Sequence, residues 1–473
     1  MASSIKLTGM PDEITHEILK ALDPLDLAAL SQTCRSLHQV ISGNELLFKS
    51  IYLNHMDEPV DPFIPAGWQW MEQLKKFVQF RRALEDLGDS LTPSDSKVSQ
   101  LGAVSSFTSE LMSTAKSGTE SLNIGMLSKY FASRRNQEAF LCRSSLFRRA
   151  VKTSQESGLE LDPPSTPIHV HPPTSPSEAQ LSAKLHCLHG VYIASPSRTH
   201  YKDVYPYAVS VVYDLRNYTD GNFWGPYHDD GQATVDWEKM EAVMIILGHN
   251  LRMFVERTRN SFRHVWRDPW FGASPDSFRP ISVTCLEQPA PPMEALDPYN
   301  ISGTWMRVVC FLDFHDLFAY NFAVTDLADD EPRPPLNTTE AIRLIVMEIK
   351  VTKIRPSEND SGYPIVSFTG VSRSMHTSFD PNANSSIRGT VRMTPEGEVR
   401  WTTFSIYSGD HDIHGPAGPT AFWKVSNEIS EHKFDRGHGD WDDDSDEDDG
   451  DYLEDDEEDE VVVLEETEEV MED

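Results

Sequence analysis

The spacing of hydrophobic residues divides the chain into a helix-forming first part and a strand-forming second part. In residues 7–55, aliphatic side chains recur every three or four positions, which predicts a set of short helices with one apolar face each. Residues 66–87 keep this spacing and predict one longer amphipathic helix. A weaker helical signal at 107–131 lies within residues 56–160, which we expect to be a helical, partly disordered linker region.

A proline-rich stretch, residues 161–179, separates the two parts. Six prolines fall between Asp162 and Pro176. Each proline fixes its own φ angle and lacks an amide donor, so regular pairing is unfavourable. The stretch is therefore predicted to be a linker.

Residues 180–425 are predicted to form a large antiparallel β-rich domain. Runs rich in β-branched and aromatic residues, typical of strands, occur at 208–213, 305–311, 342–354 and 365–371.

The clearest local pattern lies at 387–407, where two such runs flank a Thr-Pro-Glu-Gly turn at 394–397. Proline at the second turn position and glycine at the last fit a type I turn, so the segment predicts a β-hairpin. Hydrophobic parity also changes within 342–354, after Val346, as a β-bulge or strand bend would produce. With one helix expected at Trp237–Arg257, the predicted fold class is α+β.

Most of the charge is concentrated at the C-terminus. The net charge is −34, and residues 440–473 contain 22 acidic residues with no Lys or Arg. The other 439 residues have a net charge of −12. Because like charges repel, we expect a disordered acidic tail. The alternative is a tail that attracts a basic partner electrostatically. No basic surface typical of nucleic-acid binding is indicated.

Several features bear on the cellular compartment. No apolar run approaches the roughly 18 residues that indicate a membrane span. Met1–Met10 lacks the apolar core of a secretory signal, and the five cysteines have no paired spacing. Unpaired cysteines favour reduced thiols. We therefore expect a cytoplasmic or nuclear protein that binds neither membrane nor nucleic acid.

The first predicted helix begins a stretch of about 45 residues that carries more aliphatic surface than so short a segment can bury. Pro11 stands at the helix start, where its missing amide hydrogen costs nothing. Ile14, Ile18 and Leu22 follow at i, i+4 and i+8. The excess apolar surface needs either the rest of the chain or a partner to cover it.

Asp23 and Pro24 then begin a second helix, as its N-cap and first residue. The whole stretch, residues 10–48, resembles an F-box, whose pattern is Leu-Pro-x-Glu, a spaced aliphatic run, Asp-Pro-x-Asp-Leu, a Cys-Arg/Lys step and a closing Leu-Trp. The residues that fall on this pattern are Pro11, Glu13, Ile14, Ile18, Leu19, Leu22, Asp23, Pro24, Leu27, Leu30, Cys34 and Arg35. Met10 and Leu47-Phe48 depart from it but keep apolar side chains of similar size.

The F-box resemblance implies a docking surface for a Skp-family adaptor of a cullin–RING ubiquitin ligase. The aliphatic ridge that would contact the adaptor consists of Met10, Pro11, Ile14, Ile18, Leu19, Leu22, Pro24, Leu27 and Leu30. The alternative is an ordinary helical hairpin packed on its own domain.

The second part is similar to the C-terminal halves of F-box proteins of mushroom-forming fungi. The similar blocks lie at 180–187, 223–226, 235–237, 302–310, 340–344 and 389–401. This resemblance implies a substrate-recognition domain and no known chemistry.

Candidate catalytic or metal-binding residues are few. His186, Cys187 and His189 lie close together, but no second ligand pair completes a zinc pattern, so a structural role is favoured. The segment 410–414 is favoured as a solvated loop, with weak metal binding as its alternative. The sequence has no nucleophile elbow, phosphate loop or dinucleotide fingerprint. We therefore expect no catalysis, no metal and no cofactor.

Most aromatic residues of the second part are expected in the core of the β-rich domain. The loop 223–231 and the segment 266–271 are predicted as a target-binding surface, because Trp and Tyr are frequent binding hot spots. The candidate target-binding residues are Trp224, Tyr227, Trp266 and Trp270.

These patterns predict the substrate-recognition subunit of a Skp–cullin–F-box ubiquitin ligase. The F-box at 5–55 would bind the adaptor and, through it, the cullin, while residues 180–425 would bind a target protein of unknown identity. Two alternatives stay open. One is an adaptor-binding scaffold outside a ligase, and the other is a β-barrel ligand-binding or hydrolytic protein with an incidental helical N-terminus.

Overall fold

The fold of the protein is given by a computed structural model. The described residues are 9–59, 68–86, 100–116, 121–131, 133–157, 175–190, 199–257, 293–323, 327–328, 331–356, 363–375, 384–394, 396–406 and 418–426. Within these ranges the chain forms thirteen α-helices and six β-strands, which confirms the predicted α+β class. The described residues up to Val204 and those from Tyr205 onward form two compact units.

The first four helices are short, as the sequence predicted. They are α1 (Asp12–Lys20), α2 (Pro24–Ser31), α3 (Arg35–Ile41) and α4 (Glu45–His55). The Asp23 side chain caps α2 by accepting a hydrogen bond from the Leu25 amide at 2.9 Å. The Asn44 side chain caps α4 by accepting one from the Leu47 amide at 3.0 Å. Each cap satisfies an amide that has no partner inside its helix and so fixes where that helix begins.

Six further helices belong to the first unit. They are α5 (Trp70–Asp86), α6 (Gln100–Thr114), α7 (Leu122–Phe131), α8 (Arg134–Arg143), α9 (Ser145–Ser157) and α10 (Pro176–Leu185), which continues into a π-helical turn at His186–Gly190. Helix α5 confirms the long amphipathic helix predicted at 66–87. The described part of the predicted linker region 56–160 is mostly helical. Of the predicted proline-rich linker, residues 161–174 lie outside the described residues.

One hydrophobic core runs through the first unit from Leu19 on α1 to Leu185 on α10. Leu47, Phe131 and Phe140 are fully buried within it, and the last two rings stack with centroids 5.9 Å apart. The aliphatic surface that the first four helices cannot bury among themselves is therefore covered in large part by the helices that follow.

The second unit combines helices with a sheet. Its helices are α11 (Thr199–Val212), within which the division between the units falls, α12 (Trp237–Arg257) and α13 (Phe314–Phe322). Helix α12 confirms the prediction for these residues, whereas α13 was not predicted. Short 3-10 turns lie at Leu215–Asn217, Asp220–Asn222 and Met293–Leu296.

The six strands form one antiparallel sheet in the order β5-β4-β3-β2-β1-β6. They are β1 (Gly303–Phe311), β2 (Ala341–Arg355), β3 (Ile365–Ser374), β4 (Asn384–Met393), β5 (Val399–Ile406) and β6 (Thr420–Ser426). These bounds confirm the strands predicted at 305–311, 342–354 and 365–371. The predicted hairpin is β4–β5, with Met393 opposite Val399.

Strand β2 is buried on both of its faces near its middle. One face packs into a cluster that contains Met347, Ile349, Val351, Phe368 and Trp401. The other face carries the buried Leu344, opposite Val308 of β1. The parity change after Val346 therefore reflects two-sided burial. The register shift of β2 against β3 comes later, between Val351 and Lys353.

The prediction of a strand at 208–213 is wrong, because residues 208–212 are the last part of α11. Ala208, Val209 and Val212 are all buried, so this part of the helix shows a short apolar run, interrupted by the buried Ser210, instead of a helical period. Such short runs do not distinguish a buried helix from a strand.

Candidate functional site

An exposed aliphatic ridge lies on α1. Ile14 and Ile18, one helical turn apart, are 50% and 37% exposed, whereas Leu19 is buried. Pro11, at the N-cap of α1, is also exposed. We refer to Pro11, Ile14 and Ile18 as the α1 ridge. Contiguous apolar side chains in water mark candidate interaction surfaces.

The structure separates the nine predicted adaptor-contact residues by their exposure. The α1 ridge is exposed, Met10, Leu22 and Leu30 are half-buried, and Leu19, Pro24 and Leu27 are buried. The buried side chains hold α1 and α2 on the core of the first unit. Contact of the nine residues with an adaptor stays a prediction, and the α1 ridge is its surface-exposed part.

A further exposed aliphatic side chain, Leu46, lies in the first turn of α4 and is among the most exposed large hydrophobic residues of the described chain. It was not among the predicted contacts. The sequence did contain a signal, because Leu46, Leu47 and Phe48 are three successive apolar residues, and a helix cannot turn all three toward one core. Leu47 and Phe48 are the buried members.

Asp23 links the second helix to α5. Its Oδ2 accepts a hydrogen bond from Arg81 Nη1 at 2.5 Å while its Oδ1 caps α2. Partial burial favours a higher pKa for the Asp23 carboxyl, but the hydrogen bonds from Arg81 and the Leu25 amide outweigh it and hold that pKa below its ordinary value. The carboxylate is therefore ionised and positioned at neutral pH.

Aromatic contacts hold α4 against Trp68 and the first residue of α5, Trp70. The Tyr52 ring meets Trp68 and Trp70 edge-on, with centroids 5.9 and 5.3 Å apart. The Trp70 amide donates to Glu45 Oε2 at 3.3 Å. Edge-to-face aromatic pairs add about 0.5–1.5 kcal/mol beyond area burial. The first four helices thus rest on a well-packed support rather than on a flexible connection.

A second candidate surface is the loop around Trp224 in the second unit. Trp224 is 47% exposed, and its Nε1 donates to Asp220 Oδ1 at 2.9 Å. Phe223 and Trp224 have φ angles of 52° and 55°. Left-handed backbone costs roughly 1–2 kcal/mol for each non-glycine residue. The loop therefore holds an indole in water at an energetic cost, which is the kind of feature that concentrates at functional sites.

Tyr227 lies in the same loop but packs inward. Its ring and that of Phe223 lie 5.0 and 5.1 Å from the Arg400 guanidinium, which is buried. Of the predicted target-binding residues, the structure thus brings Trp224 and Tyr227 together, with Trp224 the more exposed. Trp266 and Trp270 lie outside the described residues.

Glu340 is the centre of a buried polar cluster in the second unit. It accepts hydrogen bonds from Tyr205 Oη at 2.6 Å, from Asn250 Nδ2 at 2.7 Å and from Tyr213 Oη. Burial raises the pKa of Glu340 above its ordinary value, although all three donors lower it. Because both carboxylate oxygens are occupied and the group is enclosed, the cluster joins α11 and α12 to the start of β2 and offers no open site.

The histidines do not assemble a metal centre in the part of the chain that is described. His186 is buried, its Nε2 lies 2.7 Å from Tyr201 Oη, and its ring stacks on Phe140 at 5.9 Å. This is the structural role that the sequence favoured. Among the described residues, no group of three His, Cys, Asp or Glu side chains is placed to hold a metal ion. The segment 410–414 lies outside them.

Helix α13 carries an aromatic face that was not predicted from the sequence. Asp313 caps the helix by accepting a hydrogen bond from the His315 amide at 2.8 Å. Phe314, Phe318 and Phe322 follow at i, i+4 and i+8, and all three are exposed. The signal was present as an Asp cap followed by phenylalanines at helical spacing.

Comparison with known protein families agrees with the geometry of the first four helices. Residues 7–54 match the family model described as F-box-like. The chain therefore contains an F-box-like domain, and domains of this kind generally bind Skp-type adaptors. Neither the comparison with curated proteins nor that with solved structures gave a match. No described helix is both long enough and apolar enough to cross a membrane.

Proposed function

We propose that the protein is the substrate-recognition subunit of a Skp–cullin–F-box ubiquitin ligase. The observation that carries the proposal is the exposed α1 ridge within a domain that matches the F-box-like model. In this proposal the ridge binds a Skp-family adaptor, the adaptor binds the cullin, and the assembly works in the cytoplasm or nucleus.

The second unit is proposed to bind the target protein. The exposed Trp224 on its strained loop supports this role. The chain then acts by proximity. A target held beside a ubiquitin-charged enzyme reacts as if it were highly concentrated, so no side chain of this protein needs to do chemistry.

Burial of the ridge supplies the driving force in this proposal. Full burial of an aliphatic side chain contributes about 1.5–3 kcal/mol. A carboxylate in the same place would lose its hydration without gaining a partner. Replacement of Ile14 and Ile18 by Asp should therefore abolish adaptor binding without disturbing the core, because both side chains already face water.

The test is a pull-down of the adaptor and the cullin by the full chain. The variant is Ile14→Asp with Ile18→Asp, and the control is Leu122→Asp, which places one aspartate at an exposed leucine of α7 in the same unit. Circular dichroism verifies that all three chains are folded. The parent and the control should recover both proteins, and the ridge variant neither.

Two other results would change the interpretation. Recovery of adaptor without cullin would favour an adaptor-binding scaffold outside a ligase. Failure of a correctly folded parent chain to recover any adaptor would contradict the proposal.

A further inference from the structure

Helix α13 presents a continuous aromatic face to solvent. Phe314, Phe318 and Phe322 are 64%, 54% and 54% exposed. The first two ring centroids are 6.1 Å apart and the second two 4.9 Å, so the rings form one stripe along the helix. Phenylalanine is ordinarily a core residue, and a contiguous exposed aromatic patch marks an interaction site.

The helix is held in place by polar contacts on its other side. Asn321 is buried, its Nδ2 donates to Tyr213 O at 2.9 Å, and its Oδ1 accepts from the Leu215 amide at 3.0 Å. Arg333 donates to the Asn321 and Tyr320 carbonyls at 2.9 and 2.8 Å, which satisfies two orphan carbonyls at the helix end.

Arg333 is fixed in turn by Asp214, whose Oδ1 accepts from its Nε at 3.1 Å. Hydrogen bonds from Arg216 and Arg333 outweigh burial and hold the pKa of Asp214 below its ordinary value. The Asp214 carboxylate thus stays ionised at neutral pH. The anchoring of α13 does not use its phenylalanines, whose exposure costs solubility and contributes little to folding.

A stripe on an anchored helix is pre-organised for binding. A rigid face loses less conformational freedom on binding than a loop would, so more of the contact energy appears as affinity. Three aromatic rings at helical spacing match the apolar side of an amphipathic segment, which binds through anchors at the same intervals.

The acidic residues near the aromatic stripe indicate which kind of partner would bind to it. The acidic and basic residues of α13 and its N-cap are Asp313, His315 and Asp316, with no Lys or Arg. The carboxyl of Asp313 accepts a hydrogen bond from the His315 amide, which holds its pKa below the ordinary value. A second copy of this chain would bring the same acids and a net charge of −34 against each other, so a basic partner is favoured over self-association.

We propose that the Phe314, Phe318 and Phe322 face binds an amphipathic segment of another protein whose apolar side chains are flanked by Lys or Arg. Its identification as the ligase target rests on the proposed function, whereas the binding itself does not. Aromatic anchors supply the affinity, and the acids supply selection for basic flanks.

The test uses the full chain and two labelled synthetic peptides of Leu and Lys with equal composition. In the first peptide the leucines recur at i, i+3, i+4 and i+7 and one carries a photo-cross-linker, and in the second the order is scrambled. The acidic tail can attract both peptides equally, so the difference between them reports the apolar face. Affinity is measured by fluorescence anisotropy, and the cross-linked residues are mapped by mass spectrometry.

The variants are Phe314→Ser with Phe318→Ser and Phe322→Ser, and the single change Phe318→Ser. The matched control is Ile406→Ser, an exposed aliphatic residue on β5 of the same unit. The patterned peptide should bind the triple variant at least about tenfold more weakly than the parent. The control should match the parent, cross-links should map to α13, and the unfolding temperature should not change.

Unchanged binding by both folded variants, or cross-links confined to other segments, would overturn the proposal. Sedimentation that showed parent dimers and variant monomers would overturn it in favour of a second copy. The triple variant should still recover the adaptor through the α1 ridge. If the parent recovered no adaptor but bound the patterned peptide through α13, the ligase proposal would be contradicted. The proposal that the α13 aromatic face binds an amphipathic segment would still be supported.

Discussion

Arg81 on α5 and Asp23 at the start of α2 form a hydrogen-bonded ion pair with Nη1 and Oδ2 2.5 Å apart, although 58 residues separate them in the sequence. The same carboxylate caps α2 through its other oxygen. One side chain therefore both begins a helix of the F-box-like domain and fastens that domain to the helix that follows. The orientation of the α1 ridge depends in part on this contact.

Replacement of Arg81 by Met should lower the free energy of unfolding by about 1 kcal/mol, because a partly exposed charge-assisted hydrogen bond is lost while the aliphatic stem is kept. Chemical unfolding of the first unit, followed by circular dichroism, measures the loss. Lys75→Met is the matched control on α5, since it breaks the exposed Lys75–Glu72 pair and should change stability by only a few tenths of a kcal/mol.

The Arg81 effect should depend on pH. The pKa of Asp23 lies below its ordinary value of 3.8 in the folded protein. The pair therefore stabilises the fold fully above that value, and the stabilisation is lost as pH falls through the folded-state pKa. The difference between parent and Arg81→Met should be constant near neutrality and shrink in acid. A difference that did not change with pH would contradict this account.

Phe131→Ala should remove about 3–5 kcal/mol from the stability of the first unit, because the ring is fully buried in the shared core. Leu122→Ala on the same helix is exposed and should stay within about 0.5 kcal/mol of the parent. Urea unfolding compares the two. Hydrogen exchange shows whether α1–α4 open together with α5–α10, and independent survival of α1–α4 would contradict the single core.

Tyr213→Phe removes one of the three donors to Glu340 and should cost about 1–3 kcal/mol in the second unit. Tyr218→Phe is the matched control, because it also deletes a buried phenol, whose Oη donates to the Val212 carbonyl at 2.7 Å and not to a carboxylate. Urea unfolding followed by tryptophan fluorescence compares both variants with the parent between about pH 4 and pH 8.

The two tyrosine variants should differ in their response to pH. Burial raises the pKa of Glu340 above its ordinary value of 4.5, so the contribution of Glu340 to the free energy of unfolding is largest below that value and falls as pH rises through the folded-state pKa. Loss of the Tyr213 donor raises the pKa further. The deficit of Tyr213→Phe should therefore grow with rising pH, while that of Tyr218→Phe stays constant. If the stability deficits of the two variants changed with pH in the same way, the assignment of this pH dependence to Glu340 would be contradicted.

Trp224→Gly should be about 1 kcal/mol more stable than Trp224→Ala, because glycine adopts a positive φ without strain and both variants lose the indole. Thermal unfolding of the two variants gives the comparison. An alanine variant at least as stable as the glycine variant would show that the backbone at this position carries no strain.

Much of the fold could be predicted because its signals are local. Helix caps at Asp23 and Asn44 and the turn at 394–397 fix element ends within a few residues of sequence. The failure at 208–213 has a different origin. Valines favour strands in general, but burial of Ala208, Val209 and Val212 around a helix overrides that preference.

The candidate sites were less predictable for a related reason. Sequence spacing identified the α1 ridge residues, yet it could not separate Ile14, which faces water, from Leu19, which faces the core. That distinction depends on α5 and the helices after it. The pairing of Asp23 with Arg81 likewise has no period or motif, because only the folded chain brings the two together.

The core that joins Leu19 to Leu185 also bears on how natural variation would affect the protein. A substitution at Phe140 would lower the amount of folded F-box-like domain as surely as one at Leu47, although it lies far outside the matched residues. Variants that impair the F-box-like domain should therefore scatter over α1–α10 instead of clustering on the ridge. Most would reduce abundance in the cell, and few would alter the contact surface itself.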